Sequence, residues 1–178
     1  MSASFDLVFE GGEARAQAAP RLQRVYHPPG FTDRVLELLR EHGAVEVSGW
    51  CLVAAKRGAL TLVQVADIYD ARNIPSRLLK RIANLLPREQ LRDSWNGRPE
   101  FRAFLRVASR VGRSLFDAFV VPKEREDERV SVYAAYIPLY PPHLLMWAVD
   151  ELTLSAAQPD MIAVVQRGRS YYLMLYWD

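Results

Sequence analysis

The sequence predicts an α+β protein in two units: a small N-terminal α/β unit over residues 1–90 and a C-terminal mixed-sheet α/β unit over residues 91–178. Three observations carry this. Segments of helical period and segments of strand period occur in both halves. A polar, punctuated stretch, Pro87–Gly97, separates them. Half of the residues are apolar and 11% aromatic, enough for a substantial core in a chain of this length.

Taken in order, Ser4–Phe9 alternates Phe5, Leu7 and Phe9 with polar neighbours and predicts a strand with one wet face. Gly11–Pro29 is rich in Gly, Ala, Gln and Pro and predicts an irregular segment, with His27 held extended by the prolines after it. Thr32 is placed to cap a helix over Asp33–His42, whose Val35, Leu36, Leu38 and Leu39 form an apolar stripe and which Gly43 ends. Val45–Ala55 and Ala59–Val65 bracket Lys56-Arg57-Gly58 as a hairpin with a basic tip. Asp67–Arg72 and Ser76–Leu86 are expected to be helical, the second closed by Pro87. The step from Ala66 to Ile74 is too long for a helix-turn-helix and holds no glycine, which disfavours that DNA-reading motif.

In the second half, Pro99–Phe119 predicts the clearest helix, with Phe101, Phe104, Leu105, Ala108, Val111, Leu115 and Phe119 on one side. On the other side Arg98, Arg102, Arg106, Arg110 and Arg113 recur every three or four residues, a basic stripe that is either solvated or turned toward RNA phosphates. Strands follow at Ala118–Pro122 and Val130–Pro138 around the charged turn Lys123–Arg129. A helix then runs from Pro141-Pro142 to about Leu152, and a closing hairpin joins Met161–Val165 to Tyr171–Trp177 through Gln166–Ser170. The last strand is apolar on both faces. One face is expected to meet another subunit, through Tyr171, Tyr172, Leu173, Leu175, Tyr176 and Trp177, flanked by Arg167 and Arg169.

The net charge of +2 hides an uneven distribution: Lys56 to Arg113 holds thirteen Lys/Arg against five Asp/Glu, while residues 1–55 sum to −2 and residues 114–178 to −4. Twenty of the 23 basic residues are arginine, which suits bidentate phosphate recognition and equally a GC-rich or thermophilic genome. No apolar run approaches about 18 residues and no secretory leader is evident, so a cytoplasmic protein with no membrane association is expected. Lone Cys51 and scattered His27, His42 and His143 offer no metal set, and no cofactor is expected.

The closing pattern Ala163-Val164-Val165, then Tyr171-Tyr172-Leu173, then Trp177 resembles that of archaeal tRNA-splicing endonuclease subunits, and the likeness runs back to about Arg98. The resemblance implies a tRNA-endonuclease, restriction-endonuclease-like domain. Cleavage in that family uses a tyrosine, a histidine and a lysine to move protons and neutralise charge. Here the corresponding positions are Val121, then Val130 or Ser131, then Gln158 or Pro159, none able to do this work. The resemblance therefore implies a non-catalytic structural subunit. Its heterotetramer, two catalytic plus two structural subunits, would remove introns from precursor tRNA at bulge-helix-bulge sites. The basic turn Gln166-Arg167-Gly168-Arg169 departs from the acidic turn usual there. Two other readings compete. Gln158-Pro159-Asp160 resembles the entry of a restriction-type nuclease, whose Glu-x-Lys is replaced by Leu175-Tyr176-Trp177, making a catalytically dead DNA-binding protein. The other is a generic RNA-binding protein.

Overall fold

The computed structural model describes residues 26–48, 52–56, 59–63, 68–95, 97–125, 127–154, 156 and 158–178. In chain order these form α1 (Phe31–Glu41), β1 (Val45–Ser48), β2 (Leu52–Lys56), β3 (Ala59–Val63), β4 (Ile68–Pro75), α2 (Ser76–Ala83) and a single 3-10 turn at Gln90–Arg92. Then come α3 (Phe101–Arg110), β5 (Leu115–Val121), β6 (Arg129–Pro138), α4 (Pro142–Thr153), β7 (Met161–Arg167) and β8 (Ser170–Tyr176). The expected strand at Ser4–Phe9 and most of the Gly11–Pro29 segment lie outside the described residues.

Six strands make one sheet in the order β1-β4-β5-β6-β8-β7, and β2 and β3 pair separately as a hairpin. The α+β class is as predicted, but the sheet is not mixed: every pairing among the described strands is antiparallel. The reason lies in the last crossover. α4 carries the chain from β6 to β7, which runs in the same direction as β6, but β8 inserts between them and pairs antiparallel with both.

The division at residue 90 does not separate two cores. β4, from the first half, pairs with β5 from the second, and one apolar cluster runs from Tyr26 and α1 through α2 and α3 to Leu175 and Trp177. Within the expected boundary stretch, Gln90 is packed onto that body: it is buried and its amide nitrogen donates to the Val130 carbonyl at 2.8 Å. Phe104 of α3 meets Phe116 and Trp177 edge-on, with centroids 6.2 and 5.8 Å apart, which ties helix, inner strand and chain end together.

Several local expectations change. Of the helix expected over Asp67–Arg72, the described residues Ile68–Arg72 fall on strand β4, because a window this short cannot sustain a helix alone and pairing with β1 and β5 prevails. The expected strand Val45–Ala55 splits into β1 and β2, which join different sheets. The helix expected over Pro99–Phe119 stops at Arg110; beyond the turn at Gly112, Phe116, Ala118 and Val120 alternate into the core as β5. Thr32 lies inside α1 rather than capping it. The cap comes from the β5–β6 loop, where the buried Glu128 carboxylate accepts from Gly30 N–H (2.8 Å), Thr32 N–H (3.0 Å) and the Thr32 hydroxyl (2.6 Å). At the other end Gly43, with φ +61, donates to Arg40 while Ala44 donates to Leu39, the paired bonds that close a helix on a left-handed residue.

Candidate functional site

The positions singled out by the resemblance gather at one end of the sheet. Val121 pairs with Arg129, Val120 with Val130 and Phe119 with Ser131, so Val121, Val130 and Ser131 sit side by side on β5 and β6, all buried. Exposed Gln158 and half-buried Pro159 precede Asp160, whose carboxylate accepts from the Asp178 N–H at 2.7 Å. Asp178 in turn lines a cavity of about 210 Å³ together with Val121 and Ser131.

That cavity also holds two arginines. Arg98, 8% exposed, precedes α3 and donates from Nη1 to the Ser131 hydroxyl at 3.0 Å. Its guanidinium lies 6.0 Å from the Phe119 ring centroid; its Nε is buried without an acceptor, and among the described residues it makes no ion pair. Arg129 stacks 4.1 Å over Trp95, and its Nε too is buried without an acceptor. Burial, and next the neighbouring Arg129 charge, push the Arg98 pKa down, opposed at longer range by Tyr176, Asp178 and Asp160. Asp127 is shared by Arg125, at 2.8 Å, and Arg129; burial works to raise its pKa, but these two partners hold it below the usual carboxylate range. Three guanidiniums thus share this end of the sheet with the carboxylates of Asp127, Asp160 and Asp178, and Arg98 is paired with none of them. Trp95, Arg129 and Asp178 gave no sequence signal, because what unites them with Arg98 is strand register.

A second cavity, of about 560 Å³, opens on the sheet face away from α3. The Tyr133 hydroxyl donates to Asp70 (2.7 Å) and the Tyr136 hydroxyl to Asp117 (2.6 Å), both carboxylates being buried. Arg72 holds the other Asp70 oxygen at 2.7 Å, and Asn73, in a left-handed conformation at a bulge, donates its N–H to Asp117 at 2.7 Å. Burial, then these hydrogen bonds, push both tyrosines up, Tyr136 to about 12. Both therefore stay protonated as donors, an arrangement that fixes the sheet and has no base free to take a proton.

The arginine stripe is only partly a free surface. Arg102 pairs with Glu100, Arg106 with Glu151 of α4, and Arg110 lies 4.4 Å over Trp147. Arg113 is exposed past the end of α3, and Arg98 belongs to the cavity instead of the stripe. The pairing missed in sequence comes from α4, more than forty residues away.

The hairpin residues divide similarly. Leu175 and Trp177 are buried in the core, so the expectation that they meet another subunit is corrected: the last strand finds its cover under α3 within its own chain. Arg167 turns inward, 3.8 Å over the Tyr136 ring, bonded to Asn73 and 3.7 Å from Asp117. Tyr172, Leu173 and Tyr176 are half-buried, while Tyr171 and Arg169 are exposed. The outward surface sequence reasoning missed is β7. Ile162 and Val164 are 58% and 61% exposed and pair with Leu175 and Leu173; with Tyr171 they lie on the helix-bearing face, beyond its cover. Met161 is exposed on the opposite face.

No helix among the described residues is long and apolar enough to cross a membrane. In comparisons with known proteins, no family model matches the chain, and no curated protein or solved structure matches it significantly.

Proposed function

We propose that this chain is a non-catalytic subunit that joins a partner through its β7 edge, and that the assembly is a tRNA-splicing endonuclease in which a catalytic subunit cuts precursor tRNA. The observation that carries the first step is β7, which has no further strand beside it among the described residues and whose Ile162 and Val164, with neighbouring Tyr171 of β8, leave an apolar patch at that sheet edge. Half-burying these three side chains and Met161 is worth about 3–6 kcal/mol, comparable to the low end of the cost of association, so backbone pairing along the edge must add to it. The second step rests on the family resemblance. It is supported by the order helix, two strands, helix, two strands from α3 to β8, and by the gathering of Val121, Val130 and Ser131 at one sheet end without a group suited to proton transfer.

The test is a three-way cleavage assay on an intron-containing precursor tRNA: this chain, a catalytic tRNA-splicing endonuclease subunit from the same cell, and both. Cleavage only in the mixture is expected, since the chain contributes positioning and no chemical group. Cleavage by this chain alone, or full cleavage by the partner alone, would overturn the proposal.

A further inference from the structure

We infer that the cavity at the β5–β6 end is an oxyanion site that takes a phosphate group between Arg98, Ser131 and Arg129. An arginine whose residue surface is more than nine-tenths buried is costly to leave without a counter-ion, and buried polar groups are ordinarily bonded. Arg98 breaks that rule: among the described residues its guanidinium's only hydrogen bond goes to a hydroxyl, and its Nε has no acceptor. A second arginine, Arg129, lines the same cavity; its Nη1 pairs with Asp127, but its Nε is also unsatisfied. One guanidinium without a counter-ion beside a second with a free donor is an arrangement that an anion resolves. At about 210 Å³ the space holds several waters or one phosphate group. Trp95 braces Arg129 from behind, and the Ser131 hydroxyl offers a neutral donor beside the charged ones. Asp178 shares the wall without pairing with either arginine and acts as a competing negative charge. The site stands on this chain's own residues and does not require the assembly proposed above.

The experiment follows the thermal midpoint of the chain alone in inorganic phosphate, against chloride at matched ionic strength. The wild-type Tm should rise with the logarithm of phosphate concentration, as mass action requires for a ligand of the folded state. Arg98→Met should lose that dependence while remaining at least as stable as wild type in chloride, Ser131→Ala should weaken it, and Asp178→Asn should strengthen it. A short oligoribonucleotide in place of phosphate separates sources: an Arg98-dependent rise with both ligands means backbone phosphates are accepted, and a rise with inorganic phosphate alone means a free ion. Should Arg98→Met fail to fold, Ser131→Ala and Asp178→Asn still move in opposite directions. An equal rise in wild type and all variants, as a bulk salt effect gives, or no rise in wild type, would overturn the inference.

Discussion

Tyr133 and Tyr136 stand three residues apart on one strand and would face opposite ways in a regular ladder. They face the same way because the register slips between Asp117 and Ala118, leaving Tyr133 as the extra residue on β6. A single bulge thus aims two hydroxyls at two buried carboxylates, and nothing in the sequence marks it. The pH consequence is definite. Tyr136 would ionise near 10 when unfolded and at about 12 when folded, so its contribution to stability is intact below pH 10 and is lost as pH rises from 10 to 12. Tyr136→Phe should cost about 1.5–3 kcal/mol at neutral pH, the usual worth of a hydrogen bond to a charged group. The difference from wild type should shrink across that alkaline window, as urea titrations at several pH values would measure. A difference independent of pH would mean that folding does not raise the Tyr136 pKa. Arg98 teaches a related lesson: its spacing suggested a helix face, yet it precedes α3 and turns into the sheet end, where it meets Phe119 of β5 and Ser131 of β6.

At the scale of elements, what was legible in sequence was local. α1, α2, α4 and the closing hairpin are visible because apolar period, Pro142 at the first helical position of α4, and Gly168 with φ +61 in a two-residue turn each act within a few residues. β4 was not legible, since its strand character comes from β1 and β5 on either side. The trans cap of α1 by Glu128 was likewise hidden, with about ninety-six residues between donor and acceptor. Glu128→Ala strips three bonds from that helix start and should lower stability by about 2–4 kcal/mol, read by chemical denaturation. The hairpin separates two outcomes. Leu175→Ala opens a cavity in the core and should cost about 2–5 kcal/mol. Ile162→Lys with Val164→Lys should leave thermal stability nearly unchanged while abolishing partner binding, because both sites are exposed and charges on an edge strand oppose pairing. Loss of folding in the double lysine variant would show that β7 is covered within the chain.

On the scale of the whole molecule, one sheet crosses what sequence punctuation suggested was a boundary, and its two ends differ. At the β1 end the chain supplies α1 and its cap, whereas at the β7 end the helix-bearing face runs out of cover among the described residues. An assembly formed there would extend the sheet and leave the arginine-lined β5–β6 end open for a phosphate-bearing ligand. The central claim, that β7 joins this chain to a catalytic partner, is tested most directly by light-scattering mass of an equimolar mixture with a catalytic tRNA-splicing endonuclease subunit. It predicts a single species with the mass of two copies of each chain for the wild type, and separate components for Ile162→Lys with Val164→Lys. Separate components with the wild-type chain, or an unchanged complex with the lysine variant, would contradict it.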